Sequence, residues 1–488
     1  MESIKLISPL LAVFAASGLV LLFGLFEKTR KSAYYITTSL AGILASWLCL
    51  IGVWQFKSHS LFQGGIIVDP YGLILGFLIT FAMFLVILMS QGYAEVKGHN
   101  TGEYYSLILM AGGAMMVMAM STHFITLFVA LETFSIGVYA LAGIIPGNRR
   151  AKEGALKYFV LGSLASAILL YGMALLYGAS GTLDLASPKF SQALHHPWVL
   201  AGIGLVTVGL AFKVSAVPFH WWAPDVYEGA PLPITGYMAT AVKIGGFAFF
   251  GRVAIHLFQM EWLQTYWQPV IWALAVITML VGSVLALAQK NIKRLLAYSS
   301  IVHAGYLLIA IYVSSISTEA AKISSASMIF YLATYLVITL GAFAAIIAFS
   351  SVKGDLEIID SYRGLGYRSP FVAFGMALFL FALAGIPPTA GFMGKFYVFM
   401  GAIQMGCYWL GGLAILASMV SLYYYLRVIV VMYMSEPESE DGAGYEFLGT
   451  WGARCVLAIT IALTFGLGIL PGAYFELTRR TAEILFGG

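Results

Sequence analysis

The sequence predicts an all-α polytopic membrane protein of about fourteen transmembrane helices, with two inverted five-helix repeats (spans 4–8 and 9–13) and broken helices at spans 7 and 12. Three observations carry that expectation. The 488-residue chain is 60% hydrophobic and only 10% charged, whereas soluble domains carry about 25% charged residues. Its apolar residues come in continuous runs, not in the alternating strands of about ten residues that build a membrane barrel, so the spans are helices. A few ionisable residues and prolines lie deep inside those runs, where bare lipid would not tolerate them.

A spanning helix needs about 20 apolar residues. Such runs cover residues 8–26, 34–55, 70–92, 104–121, 123–145, 155–178, 198–219, 232–258, 269–289, 292–314, 325–349, 370–403, 409–434 and 452–471. The first is followed by the charged stretch EKTRK and by many further spans, so it reads as a retained helix and not a signal peptide. Connections on one side gather fourteen Lys and Arg residues: Lys28, Arg30, Lys31, Lys97, Arg149, Arg150, Lys152, Lys157, Lys290, Lys293, Arg294, Lys353, Arg363 and Arg368. Those on the other gather six: Lys5, Lys57, Lys189, Lys322, Arg479 and Arg480. The positive-inside rule then puts both termini outside the cytoplasm. The acidic stretch 435–446 reads as a solvated linker.

Glu132, Lys213, Lys243, Lys395 and His303 sit within apolar runs. One charge at the bilayer centre costs roughly 3 kcal/mol on insertion scales. Together these groups exceed an ordinary stability margin unless they pair or face water inside the bundle. A lone buried lysine can snorkel or simply lock helices together, and a lone histidine can be a core residue. Four charges and a histidine in one chain favour a proton path. Arg252 and Arg427 lie nearer span ends, where snorkelling explains them, and His220 reads as interfacial.

The odd features recur. Glu132 and His303 are 171 residues apart, and Pro218 and Pro387 are 169 apart. An offset near 170 spans five helices, an odd number, so the second copy is inverted. This divides the chain into N-terminal helices at 1–103, a first repeat at 104–258, a second at 269–434, and a last helix with its tail at 452–488. Proline removes a backbone donor and clashes with the carbonyl one turn back. Pro218 and the pair Pro387 and Pro388 therefore mark helix breaks, which membranes accept only beside polar cavities or protein. A carboxylate moving toward or away from a buried lysine switches its charge. Glu132 and Lys213 are candidates for that pair, with Lys243 as central carrier, His303 as relay and Lys395 as terminal group.

Other chemistry finds little support. Cys49, Cys407 and Cys455 are scattered and no CxxC occurs, which argues against iron–sulfur or zinc sites. The glycines form no phosphate-binding loop, and a net charge of +4 does not suggest nucleic acid.

Three blocks then carry a resemblance. FKVSAVPFHWWAPDVYEGAPLPITGYMATAVKIGGF (212–247), KRLLAYSSIVHAGY (293–306) and LAGIPPTAGFMGKFYVF (383–399) resemble signatures of the antiporter-like subunits of respiratory complex I, a proton-translocating family related to Mrp antiporters. With Glu132 they cover most of residues 104–434. Fourteen spans without a lateral helix, and lysine in the second broken helix, are most similar to the N-type branch. The resemblance implies proton transfer through Glu132, Lys213, Lys243, His303 and Lys395 in a proton-translocating NADH:quinone oxidoreductase. It implies no cofactor in this chain: FMN, iron–sulfur clusters and the NADH site belong to partner subunits, and quinone binds elsewhere in the complex. The implied neighbours are an M-type antiporter-like subunit, K- and J-type small subunits, and lipid. The alternatives are an Mrp-type cation/proton antiporter subunit, or the equivalent subunit of a ferredoxin- or plastoquinone-linked complex.

Overall fold

The computed structural model describes residues 2–26, 32–54, 58–62, 64–187, 189, 197–257, 260–351, 354–436 and 449–486. Most of the predicted acidic linker falls outside them, as do Lys28, Arg30, Lys31, Lys57 and Lys353. The chain begins with α1 (Glu2–Leu25) and α2 (Ser32–Val53), then a small antiparallel hairpin of β1 (His59–Leu61) and β2 (Ile66–Val68). Next come α3 (Pro70–Ser90), the single turn α4 (Tyr93–Val96), α5 (Gly102–Ala119), α6 (Phe124–Ala142) and α7 (Arg149–Ser180). The first break separates α8 (Pro197–Lys213) from α9 (Trp222–Gly229), followed by α10 (Leu232–Ala239) and α11 (Ala241–Leu257).

A comparable series continues with α12 (Glu261–Leu287), α13 (Ile292–Ser314), α14 (Thr318–Phe349) and the single turn α15 (Leu365–Arg368). The second break separates α16 (Pro370–Ala384) from α17 (Ala390–Gln404). The chain ends with α18 (Tyr408–Met434), α19 (Trp451–Ile469) and α20 (Gly472–Leu485). Each of the fourteen apolar runs thus holds a helix or a broken pair. Among the described residues, eleven helices are long and apolar enough to cross a membrane. The shorter α8 and α16 are the leading halves of the two broken helices. The last helix, α20, carries Glu476, Arg479, Arg480 and Glu483 on its polar side, and Phe475 stacks on Tyr397 of α17 at 3.7 Å.

Several features recur between the halves. Both α7 and α14 are 32 residues long, and their first and last residues are 169 apart. The amide of Phe124, at the start of α6, donates to Leu183 O beyond α7. The amide of Ile292, at the start of α13, donates to Glu357 O beyond α14.

Both breaks close the same way. Ser215 (φ 61°) and Gly385 (φ 89°) are left-handed, and the next amide bonds back five residues, Ala216 to Ala211 O and Ile386 to Phe381 O. This is a Schellman cap. Glycine adopts that conformation freely, whereas Ser215 pays about 1 kcal/mol or more for it. Each left-handed residue lies three before a cis proline, Pro218 and Pro388.

The prolines did not announce a third interruption. Between α10 and α11, Thr240 departs from helical geometry (φ −116°, ψ −77°), three residues before Lys243. Its hydroxyl returns to Gly236 O at 2.7 Å, the local bond by which Thr competes with a helix.

Four charge assignments need correction. Arg252 does not snorkel: it is 1% exposed and grips Asp69 through two bonds of 2.6 and 2.8 Å. Arg427, part-buried, donates to Leu287 O and Gln289 O at the end of α12, satisfying carbonyls that a helix terminus leaves open. Lys293 is no loop charge but a buried donor to Glu228 O and Ala230 O at 2.5 and 2.8 Å. His220 is buried too, and neither ring nitrogen has a hydrogen-bond partner in the protein.

Candidate proton-transfer site

The break positions Lys213. Helix α8 stops there because its cap reverses the chain, leaving the side chain at the helix's end, 2% exposed. The carbonyl of Phe212 accepts from the Trp222 indole at 3.1 Å, so the lysine is free to point elsewhere. Its ammonium donates to Ser135 Oγ at 2.8 Å and Tyr139 Oη at 3.3 Å, both on α6. Glu132 lies three and seven residues before those hydroxyls, which puts all three on one helical face.

Glu132 Oε1 is buried without a hydrogen-bond partner in the protein. Lys213 and Glu132 form no ion pair within 4 Å, yet Glu132 acts electrostatically on the lysine. Lys213 thus meets the face of α6 that carries Glu132, and bonds hydroxyls one and two turns beyond it.

The end of α8 also rests on α11. A Cβ at Gly246 would lie 3.1 Å from Val214 Cγ1 and 4.0 Å from Lys213 Cβ. Lys243, one turn earlier on α11, is 2% exposed. Its ammonium donates to the Ser300 carbonyl on α13 and lies 5.9 Å from the Tyr335 ring centre. A lysine held by one carbonyl and an aromatic face is weakly compensated for its burial.

From Ser300 the polar groups climb one turn of α13 to His303. Its Nδ1 pairs with Tyr331 Oη of α14 at 2.5 Å, and its Nε2 with Tyr425 Oη of α18 at 3.5 Å. Tyr425 in turn pairs with Ser299. A histidine with a hydroxyl on each nitrogen can accept a proton at one and release it from the other.

Lys395 sits in the first turns of α17, 4% exposed, and points back to the second break. It donates to Ala384 O, the last carbonyl of α16, at 2.9 Å and to Ser418 Oγ at 2.8 Å. The two breaks therefore differ. A neutral indole serves the carbonyl of Phe212, whereas a lysine serves that of Ala384, where a helix's C-terminal dipole favours a cation. A Cβ at Gly385 would come within 3.0 Å of Lys395 Cδ, so this glycine also makes room for the lysine stem.

All five predicted groups are thus joined by contacting helices. The sequence calls for Ser, Thr and Tyr side chains to bridge the gaps between them, without singling out which. Ser135 and Tyr139 were available from helical spacing around Glu132, whereas Ser300 contributes its backbone carbonyl and not its hydroxyl. Tyr331, Tyr425 and Ser418 come from other helices and left no local signal. Among the described residues, no three His, Cys, Asp or Glu side chains converge as a metal centre requires.

The profile of the family described as NADH:quinone oxidoreductase/Mrp antiporter, TM, matches residues 121–421. This chain belongs to that family. The match spans both breaks and all five candidate groups. The NADH-quinone oxidoreductase subunit N of Trichlorobacter lovleyi is 36% identical over 491 residues, covering 99% of this chain and 98% of that one. Its counterpart in Moorella thermoacetica is 40% identical over 478 residues, covering 97% of each. Among solved structures, a chain of respiratory complex I from Thermus thermophilus with bound aureothin is similar at a TM-score of 0.80 and 32% identity. That likeness covers 96% of this chain and 98% of the other.

Proposed function

We propose that this chain works as the N-type proton-translocating subunit in the membrane arm of an NADH:quinone oxidoreductase. Glu132, Lys213, Lys243 and His303 pass protons along the path, and Lys395 stands at its end as the terminal charge. The observation that carries the reading is the set of three lysines, each at most 4% exposed, held only by hydroxyls, carbonyls and aromatic faces. A structural lysine would be expected to have its counter-charge, as Arg252 has Asp69. These lysines lack one within 4 Å among the described residues, so their charge is cheap to remove and can be set from outside.

In this reading Glu132 is the setting charge. Its approach to Lys213 favours the ammonium; its withdrawal favours proton release toward Lys243. Lys243 passes the proton along the Ser300 turn to His303, whose hydroxyl partners orient both ring nitrogens. Quinone reduction elsewhere in the complex supplies the energy, and no redox step runs through this chain. FMN, the iron–sulfur clusters and the NADH site belong to partner subunits. We place an M-type subunit and the K- and J-type subunits beside it, with both termini on the periplasmic side. The two halves, 104–258 and 269–434, are read as inverted copies.

The Mrp-type reading predicts cation/proton exchange by the chain itself. Reconstituting the purified chain alone in liposomes with an internal pH dye decides between them. The expected result is no acidification or alkalinisation on adding sodium; robust sodium-driven exchange without partners would overturn the proposal.

A further inference from the structure

Two cavities flank α17, and they differ in kind. The one beside Lys395, about 430 Å³, lies between α17 and α18 and is walled by Phe392, Phe396, Ile415 and Met419. The other, about 340 Å³, lies between α14, α17 and α20. Its walls include Glu319, Lys322, Ser327, Gln404, Arg479 and Glu483. The first is a place for apolar neighbours. The second holds charged groups of both signs on side chains that reach water, as an aqueous vestibule requires.

The polar cavity is linked to the proton path. Ser327, at its floor, is 1% exposed and donates to Ile323 O at 2.9 Å and Tyr397 O at 3.3 Å. One turn further along α14 on the same face is Tyr331, the partner of His303 Nδ1. Close approach of α17 keeps this passage narrow: a Cβ at Gly394 would lie 3.4 Å from the Tyr331 ring, and one at Gly401 would lie 3.9 Å from Ser327 Oγ. Lys395 turns the other way, to Ala384 O and Ser418.

The geometry points to an exit that leaves the path at His303 and runs through Tyr331 and Ser327 into the vestibule between α14, α17 and α20, bypassing Lys395. This inference rests on the proposed proton-translocating role and its sidedness, under which Lys322 and Arg479 lie on the periplasmic side. Protonated His303 gives its Nδ1 proton to the Tyr331 oxygen while the phenol's own proton passes to a water one turn below. That water hands a proton on past Ser327, so Tyr331 ends neutral and His303 returns to the neutral imidazole. Ser327, bonded to two carbonyls, fixes the width and polarity of the mouth and acts as a positioning residue. Lys395 then serves as the charge that drives the proton off His303, not as the last carrier.

The test uses the assembled complex in inverted membrane vesicles, reading protons moved per NADH oxidised. Ser327→Leu plugs the mouth, Ser327→Thr keeps the hydroxyl, and Tyr331→Phe removes only the phenol oxygen. The expected result is a ratio lowered about twofold or more in Ser327→Leu and Tyr331→Phe, and one near the parent's in Ser327→Thr. A merely structural role would lower oxidation and pumping together and leave the ratio intact. An unchanged ratio in both Ser327→Leu and Tyr331→Phe overturns the exit. If Ser327→Leu does not assemble on native gels, Tyr331→Phe alone decides. Lys213→Ala is run alongside. If it loses pumping while the exit variants keep theirs, only the exit fails; if it too pumps normally, the proposed function fails.

Discussion

Lys213→Ala abolishes proton pumping in the assembled complex, to below about a tenth of the parent ratio per NADH, and slows coupled quinone reduction with it. The side chain is the only cation among the described residues that reaches Ser135 and Tyr139 from the first break. Without it, Glu132 has no charge to act on. Water can fill the space of an ammonium but cannot hold a proton at neutral pH as an amine does. Lys213→Arg does not rescue, because a guanidinium keeps its proton under all conditions and brings five donors to a site offering two hydroxyl acceptors. Dye-quench assays on inverted vesicles, normalised to NADH oxidation, read the effect. Native gels with an artificial electron acceptor confirm assembly. Pumping at the parent ratio in assembled Lys213→Ala complex would sink the carrier role.

The alanine variant is informative because the two breaks solve one problem with different groups. Each interrupted helix exposes a terminal carbonyl to a low-dielectric interior. At Phe212 the Trp222 indole answers it, and Lys213 is released to face Glu132's helix. At Ala384 the lysine itself answers it, helped by Ser418. The first lysine is therefore a switchable charge, and the second is anchored to a helix dipole. That contrast also supports an exit before Lys395: an ammonium tied to a helix end is better placed to repel a proton from His303 than to carry one away.

Much of this was legible in the sequence, and the reasons are physical. Length and continuity of apolar runs fix where helices must lie in a membrane, and every run holds one. Charge is so costly at that depth that Glu132, Lys213, Lys243 and Lys395 stand out without any structure. What stayed hidden depends on which helices touch. Arg252 read as a snorkelling residue because its distance from a span end is visible, whereas Asp69, 183 residues earlier, is not visibly its partner. Lys293 read as a loop charge because helix α13 begins beside it, yet it folds inward onto Glu228 O and Ala230 O. The break at Thr240 carries no proline and so gave no signal.

Asp69→Ala costs about 3–5 kcal/mol of stability, the range for removing one partner of a buried ion pair. The Asp69–Arg252 pair holds three elements at once. The carboxylate caps α3 by accepting from Gly72 N at 2.8 Å, and it takes two donors of Arg252 on α11. The same guanidinium donates to Ala119 O at the end of α5 and lies 4.7 Å from the Tyr71 ring centre. Taking the carboxylate away leaves a cation, 1% exposed, with a carbonyl and an aromatic face but no counter-charge, and also removes a helix cap worth about 1 kcal/mol. Asp69→Asn keeps the cap and loses the charge, so its loss is smaller. In that background Arg252→Met recovers most of the deficit, because the double change buries no unpaired ion. Thermal unfolding of the detergent-solubilised complex, read as a double-mutant cycle, measures the coupling. A coupling below about 1 kcal/mol would mean that the pair is no stronger than a surface salt bridge. Pumping per NADH in whatever complex assembles stays near the parent value, because Asp69 and Arg252 hold each other's charge fixed and so have no part in a path that depends on charges that move.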